Sequence, residues 1–205
     1  PVPSPVPRSV TRTVITLPPG QQFAGLDRSR AVALSPDGTY LAYVARQGGV
    51  QQLYLRPMDG LESKPLPGTE GAVSPFFSPD SRWLAFFADG KLKKVSVSGG
   101  AAVILGDAAL PVGGSWGTQG TIAFVPTSVS PIEQVSDAGG SAQPLTHLEK
   151  GDFNQGWPEF LPDGKAILYA IRSNVAGLEV AVQPATGERK ILAQGGTAAN
   201  YAPSG

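Results

Sequence analysis

The chain has 205 residues, enough for one domain with a substantial core, and its composition excludes several classes of protein. It contains 26 Gly and 20 Pro, too many for a helical protein, whereas 41% hydrophobic residues are too many for a disordered chain. Lys+Arg and Asp+Glu number 16 each, so the chain has no net positive charge that would favour binding to nucleic acid or to an anionic membrane surface. The absence of cysteine excludes disulfides and thiolate metal sites.

The first seventeen residues differ in character from the rest. "PVPSPVP" has proline at every second position, which predicts an extended linker over residues 1–11; a ligand for a proline-binding groove is the alternative. "RTVITL", residues 12–17, predicts a β-strand outside the repeats described next. We expect this strand to complete a last repeat unit that lies beyond Gly205.

A phrase of thirteen residues then occurs twice. "ALSPDGTYLAYVA" at 33–45 is followed by "FFSPDSRWLAFFA" at 76–88, and further copies appear around 117, 161 and 202, at intervals of 39 to 44 residues. The copy near 117 is degenerate, and the last one stops within its turn. Such a period indicates a repeat architecture. The residues assigned to the turns are Ser35, Pro36, Asp37, Gly38, Ser78, Pro79, Asp80, Ser81, Pro162, Asp163 and Gly164.

The repeated Ser-Pro-Asp-Gly has the chemistry of a tight hairpin turn. Pro fixes φ at the first central position, Asp can accept a hydrogen bond from a nearby backbone N–H, and Gly adopts the left-handed conformation. Ser81 replaces this Gly in the second copy, where a left-handed conformation costs about 1–2 kcal/mol. The sequence therefore predicts that the second turn is the weaker one and that Ser81→Gly stabilises it.

Each turn leads into a strand that is apolar on both faces, such as "TYLAYVA", so each sheet must be covered on both sides. A third strand, a Gly-containing turn and a more polar fourth strand follow. Four antiparallel strands of this kind predict an all-β protein built of propeller blades, which stack face to face. The predicted units span residues 31–67, 72–105, 113–146 and 156–193, with a fifth unit beginning at 199–205. Residues 12–205 would then form an incomplete ring of four complete blades and the start of a fifth.

The units resemble the TolB-like class of WD40-like propeller repeats, whose mark is P-x-F-S-P-D-G-x-x-L-A-F. "PFFSPDSRWLAFF" from Pro75 is the nearest match, and the resemblance covers residues 31–205. It implies the fold and leaves the function open, because such propellers occur in periplasmic TolB, in prolyl-oligopeptidase-like enzymes and in membrane-anchored bacterial Ser/Thr kinases. The Pro-rich lead-in followed by "RTVITLPPGQQF" is most similar to the extracytoplasmic propellers of the kinases.

"GGSWG" at 113–117 matches the nucleophile elbow G-x-S-x-G of serine hydrolases, and Asp137 and His147 follow in the order of a catalytic triad. The elbow needs a helix after its serine, whereas "TQGTIAFV" predicts a turn and a strand in the period of the repeat. We therefore expect a blade turn here, no catalytic residue and no enzyme activity. The sequence also lacks the motifs of a kinase catalytic domain.

The stretch "THLEKGDFNQGW", 146–157, interrupts the compact spacing of the repeats and joins the third unit to the fourth. Propellers commonly bind partners on the face formed by such connections and by the turns between second and third strands. An ordinary polar surface loop is the alternative. A metal site at His147 with Glu149 and Asp152 is a further alternative, but we expect no metal and no cofactor. The candidate binding residues of this face are His147, Glu149, Lys150, Asp152, Asn154, Arg46, Gln47, Arg172 and Asn174.

These observations predict a non-enzymatic interaction or sensing module that belongs to a larger bacterial signalling protein. We expect the module to be extracytoplasmic, in the periplasm or at the cell surface, and further blades to follow Gly205. The alternatives are a substrate-gating propeller of a prolyl-oligopeptidase-like peptidase and a TolB-like periplasmic partner-binding protein. We expect a protein or small-ligand partner, no nucleic acid, and no direct insertion of this chain into a membrane, because no apolar run approaches 18 residues.

Overall fold

The computed structural model describes residues 16–26 and 30–201, which form strands, turns and loops without any helix. The linker predicted at 1–11 lies outside the described residues. The strands are β1 (Gln22–Phe23), β2 (Val32–Leu34), β3 (Tyr40–Gln47), β4 (Val50–Pro57), β5 (Lys64–Pro65), β6 (Val73–Phe77), β7 (Trp83–Ala88), β8 (Lys91–Ser96), β9 (Val103–Asp107), β10 (Gly114–Trp116), β11 (Thr121–Phe124), β12 (Glu133–Ser136), β13 (Gln143–Pro144), β14 (Asp152–Phe160), β15 (Ala166–Ser173), β16 (Gly177–Pro184) and β17 (Lys190–Gln194).

The strands form four antiparallel sheets, which are the blades of a β-propeller. Blade one contains β1–β5, blade two β6–β9, blade three β10–β13 and blade four β14–β17. Consecutive strands pair within blades two to four, and β2–β5 do so in blade one. Blade one has a fifth strand because its inner strand is in two pieces, β1 and β2, which both pair with β3. The inner strands β2, β6, β10 and β14 contact one another in that order and surround a central channel. The predicted all-β propeller is therefore confirmed.

Apolar clusters join each blade to the next, as the two-sided apolar strands predicted. Leu84 and Phe86 of β7 pack in the cluster between blades one and two, whereas Ala85 and Phe87, which alternate with them, pack in the cluster between blades two and three. A third cluster, including Tyr169, joins blades three and four. The described residues thus hold three inter-blade clusters for four blades.

The turn motif works through a local hydrogen-bond network that explains its serine as well as its aspartate. In blade one, Ser35 Oγ donates to Asp37 Oδ1 (2.6 Å) and accepts from Tyr40 N (2.8 Å), so one hydroxyl ties the turn to the strand that follows. In blade two, Ser78 makes the same two bonds, to Asp80 Oδ1 (2.6 Å) and from Trp83 N (2.9 Å). The repeat therefore preserves a turn that holds the inner strand to the second strand.

The fourth position of the turn is left-handed in every blade. Gly38, Gly120 and Gly164 have φ of 75°, 71° and 66°, and Ser81 has φ of 62°. Ser81 makes a contact that a glycine could not, because its Oγ accepts a hydrogen bond from Asp37 N of the neighbouring blade at 3.2 Å. The left-handed Ser81 is confirmed, but the prediction that Ser81→Gly stabilises omitted this hydrogen bond.

We expect Gly38→Val to lower the free energy of unfolding by more than about 1–2 kcal/mol, because it places a β-branched residue in a left-handed conformation. No heavy atom lies within 4 Å of the added Cβ, so the Cβ itself meets no clash and the loss reports the strained backbone conformation. Ser81→Gly should stay within about 0.5 kcal/mol of the parent, because the relieved strain and the lost hydrogen bond are of similar size. Denaturant midpoints measure both, and an unchanged Gly38→Val protein would contradict the turn geometry.

Hydrogen bonds from Ser35 Oγ and from the Thr39 amide and hydroxyl lower the pKa of Asp37 from 3.8 to about 2. A carboxyl whose pKa is lower in the folded state contributes stability above its unfolded pKa and loses that contribution as the pH falls through the folded pKa. We therefore expect Asp37→Asn to be less stable than the parent at pH 7, and the difference to shrink between pH 4 and pH 2. Urea midpoints across this range test it, with Asp59→Asn, at an exposed turn of the same blade, as the control.

The lead-in to the first blade differs from the prediction. Residues 12–15 of the predicted strand lie outside the described residues, and Thr16 and Leu17 are not in a strand. Leu17 instead packs on Leu41, Tyr43, Ala45 and Tyr54, which are at most 5% exposed. In an incomplete ring we would expect the free face of blade one to expose residues of "TYLAYVA". This expectation is wrong, because the lead-in covers that face.

The last described residues lie beside blade four. Residues 195–201 are not in a strand, and Tyr201 N donates to Glu159 Oε1 of β14 at 2.8 Å. Gly196 lies close to Val180, which is 8% exposed. The turn of the predicted fifth unit, residues 202–205, lies outside the described residues, so a fifth blade stays a prediction.

Candidate functional site

The connections between blades and the turns between second and third strands lie together on one side of the propeller, which we call the loop face. A cavity of about 760 Å³ opens there between blades one, two and three. It contains one of the predicted binding residues, Arg46. The residues that line it are Gln22, Phe23, Ala24, Gly25, Leu26, Arg46, Gln51, Val73, Leu110, Pro111, Val112 and Ser128.

The central channel holds a second, smaller cavity of about 280 Å³, to which all four inner strands contribute. Its wall includes Phe76 of blade two and Trp157 of blade four. Arg30 of blade one lies 5.7 Å from the centre of the Trp157 ring and donates to Asn200 Oδ1 at 2.9 Å. The Trp157 ring therefore forms part of the channel wall.

The inner strands of three blades bulge at the same position, four residues before the first residue of the turn. Ser74, Gly113 and Trp157 have φ of 49°, 88° and 53° there. The pairing register shifts at this point in blades two and four. Blades three and four approach each other closely at this position, because a Cβ on Gly113 would lie 2.8 Å from the Trp157 ring.

The "GGSWG" stretch owes its glycines to this close packing. A Cβ on Gly114 would lie 2.7 Å from the Phe76 ring, and one on Gly117 would lie 3.0 Å from the Phe160 ring. Ser115 is in strand β10, and its Oγ accepts from Phe160 N at 3.1 Å. The three glycines and the serine of the elbow-like motif thus each have a structural reason.

The other two residues in triad order are also engaged elsewhere. Asp137 Oδ2 accepts from Trp116 Nε1 at 3.3 Å, and the exposed His147 receives a hydrogen bond from Gln155 Nε2 at its carbonyl. No hydrogen bond is found among Ser115, Asp137 and His147. The part of the chain that the structure describes therefore contains no assembled catalytic triad from these residues.

The predicted connection at 146–157 is shorter than expected, because β14 begins at Asp152. Gln155, fully buried, holds it in place: its Oε1 accepts from Thr146 Oγ1 and from Ile132 N (3.2 Å), and its Nε2 donates to His147 O (2.9 Å). The connection is thus fixed to blade three by a buried amide.

Glu149 and Asp152, predicted as binding residues, are partners of Arg189 at the start of the outer strand of blade four. Arg189 donates to Asp152 through two nitrogens, at 2.5 and 3.2 Å, and its Nε lies 3.0 Å from Glu149 Oε1. The Asp152 side chain is only 2% exposed. Burial raises the pKa of the neighbouring Tyr169 hydroxyl to about 12. The buried Asp152 is thus engaged within the fold, whereas the Glu149 side chain stays 45% exposed, so a binding role for either residue stays a prediction.

Of the remaining predicted binding residues, some contact other residues of the protein and others are exposed to solvent. Gln47 Oε1 accepts from Tyr54 Oη at 3.1 Å, and Asn154 Nδ2 donates to Ser128 O at 3.1 Å. Arg172 lies 5.9 Å from the Phe153 ring, Asn174 N donates to Gly151 O, and Lys150 is exposed. Within residues 16–26 and 30–201, no group of three or more His, Cys, Asp or Glu residues could hold a metal.

Sequence reasoning missed most of the cavity. Gln22 and Gln51 flank Arg46 on neighbouring strands, and Leu110–Val112 lie just before the inner strand of blade three. Gln51 lies in the predicted connection between the second and third strands of the first unit, which is the one signal that could have identified it. Gln22 precedes the predicted first unit, so its pairing with Arg46 had no signal.

Comparison with solved structures agrees with this architecture. TolB from Acinetobacter baumannii is similar at 21% identity and a TM-score of 0.67, over 80% of this chain and 43% of that one. A putative TolB from Agrobacterium tumefaciens has 23% identity and a TM-score of 0.57, over 75% and 57%. Prolyl oligopeptidase B from Galerina marginata has 11% identity and a TM-score of 0.57, over 79% and 26%.

These similarities show the propeller fold and do not assign a function. The chain spans about half the length of the TolB chains that it matches. Its sequence matches no protein-family model and no curated protein. Among the described residues, no helix is long and apolar enough to cross a membrane.

Proposed function

We propose that the chain is a non-enzymatic, partner-binding propeller that acts outside the cytoplasm as part of a larger bacterial signalling protein. The cavity at the loop face carries this proposal, because it is large enough for a ligand and is lined by residues of three blades. Similarity to TolB structures supports a binding role and an extracytoplasmic location. The resemblance of the lead-in to kinase-associated propellers supports the signalling context.

The partner should contact the loop face and avoid the opposite side, which carries the Ser-Pro-Asp-Gly turns. A photo-crosslinking amino acid at Ser128 places the probe at the cavity, and the same residue at the exposed Ser98 is the matched control on the turn side. In the full-length protein in its own host, we expect a cross-linked partner from position 128 alone. Cross-linking from position 98 alone, or from neither position, would overturn the proposed function.

The absence of catalysis is the second part of the proposal. Ser115 lies in a strand with its hydroxyl bonded to a backbone amide, so it has no activating base. We expect a fluorophosphonate probe to leave the protein unlabelled. Labelling that disappears in Ser115→Ala would contradict this expectation.

The third part concerns the size of the ring. We propose that further blades follow Gly205, because four blades carry only three inter-blade clusters among the described residues, and a closed ring needs as many interfaces as blades. The full gene decides this point directly. A stop codon immediately after Gly205 would contradict the proposal.

The gating propeller of a peptidase is the second candidate, which the similarity to prolyl oligopeptidase B favours. In that case the channel would restrict access to a hydrolase domain elsewhere in the protein. Fluorophosphonate labelling of the full-length protein at a serine outside residues 1–205 would replace the first proposal with this one.

A further inference from the structure

We propose that the loop-face cavity binds the free C-terminus of a peptide that ends in an apolar residue, with Arg46 as the receptor for its carboxylate. This inference rests on the proposed function, because it specifies the ligand chemistry of the same face.

Arg46, the proposed receptor for the carboxylate, is the middle one of three polar residues that lie side by side on adjacent strands of blade one. Gln22 of β1 pairs with Arg46 of β3, and Arg46 pairs with Gln51 of β4, so the three side chains lie on the same face of the sheet. All three line the cavity. Gln51 links this row to blade two, because its Nε2 donates to Ala72 O at 3.0 Å.

Arg46 keeps most of its hydrogen-bonding capacity. Its one hydrogen bond to a side chain is a long one, at 3.4 Å, to Gln51 Oε1, whereas a guanidinium has five N–H donors. No ion pair of Arg46 is found among the described residues. Among the described residues that line the cavity, Arg46 is the only charged one. Such a group binds a carboxylate through two parallel hydrogen bonds.

The opposite wall is apolar and fixed in position. It consists of Leu110–Val112 of blade three with Val73 of blade two beside it. Leu110 N donates to Pro126 O, and Val112 O accepts from Trp157 N at 2.8 Å, so this segment is held from both sides. Leu110 is nevertheless 64% exposed, which leaves apolar surface for a ligand side chain.

The polar groups in the lining favour a peptide over a simple fatty acid. The amide of Gln22 and the hydroxyl of Ser128 can pair with peptide N–H and C=O groups, which a hydrocarbon chain lacks. One cation, nearby amide groups and an apolar wall together fit the last residues of a peptide: its carboxylate, its backbone and its final side chain.

The test is fluorescence anisotropy with the 205-residue chain and an N-terminally fluorescein-labelled peptide, Gly-Ser-Gly-Ala-Leu, as the free acid or as the C-terminal amide. We expect the free acid to bind about tenfold more tightly or better, because hydrogen bonds to charged groups are the stronger ones. Arg46→Gln should abolish this preference. Arg82→Gln, which removes an exposed arginine on the turn side, should leave it unchanged. Unfolding midpoints establish that both variants are folded.

A second variant tests the apolar wall. Leu110→Ser should weaken binding of the leucine-terminated peptide and leave a glycine-terminated peptide unaffected. Sodium decanoate serves as the competitor that separates a peptide site from a fatty-acid site. We expect decanoate to displace the peptide only at concentrations at least tenfold above those at which the unlabelled free-acid peptide does so.

Several results would overturn the inference: equal affinity for acid and amide, an equal effect of Arg82→Gln, stronger binding of decanoate than of the peptide, or no binding of either peptide. If the peptides do not bind while position 128 still cross-links to a partner, the ligand chemistry is wrong and the proposed function survives. If position 128 gives no cross-link, the proposed function itself fails, whatever the peptides do.

Discussion

Arg189→Met is expected to lower the free energy of unfolding by about 3 kcal/mol or more, one of the two largest losses that we predict for this chain. Arg189 binds Asp152 with two hydrogen bonds and pairs with Glu149, and the Asp152 side chain is 2% exposed. Removing the arginine leaves the buried Asp152 carboxylate without its counter-charge. The change in the free energy of unfolding reports the cost of that uncompensated charge. Methionine keeps most of the volume of the side chain.

The matched control is Lys190→Met, which removes a positive charge from the next residue, where the side chain is exposed. We expect this change to stay within about 0.5 kcal/mol of the parent. Adding Asp152→Asn to Arg189→Met should recover part of the loss, because the amide carries no charge and can still accept from Glu149 N. Equal urea midpoints for the two single variants would contradict the importance of the buried ion pair.

The fold could be predicted because its signal is local and repeated. Each Ser-Pro-Asp-Gly turn contains the donors and acceptors that it needs within six residues, from Ser35 to Tyr40 in blade one, so the motif predicts its own geometry. Each copy also fixes the register of the two strands that it joins. The alternation of Leu84 and Phe86 with Ala85 and Phe87 then predicts which neighbouring blade each residue contacts.

The candidate site was predicted only in part, because its members meet across blades. Arg46 was identified from its place beside a turn, but Leu110 reaches the same cavity from blade three through a packing that no local pattern encodes. Glu149 and Asp152 lie in a polar stretch that is typical of a binding loop. Their partner Arg189 is 37 residues from Asp152 along the chain, so the local sequence does not indicate the pairing. Without that partner in view, a structural ion pair and a ligand site have the same sequence signature.

Gly113→Ala is the second change with a large expected effect, a loss of roughly 2–5 kcal/mol of unfolding free energy. Two costs combine at this position. The backbone has φ of 88°, which penalises any side chain by about 1–2 kcal/mol. The new Cβ would also lie 2.8 Å from the Trp157 ring and 3.2 Å from Trp157 Cα, so blade four would have to move away from blade three. Overpacking of this kind costs typically 1–3 kcal/mol.

Gly139→Ala separates the two costs, because Gly139 has φ of 90° and no heavy atom within 4 Å of the added Cβ. It should lose only the backbone share, about 1–2 kcal/mol. The difference between the two urea midpoints therefore measures how tightly the inner strands of blades three and four must approach at the channel. Trp157 cannot easily yield, because it is itself left-handed at φ of 53° and its N–H is bonded to Val112 O. Equal losses in the two variants would mean that the inner strands of blades three and four separate freely. A channel wall of that kind could not hold the adjoining Leu110–Val112 segment in place, and the proposed peptide site requires that segment to be fixed.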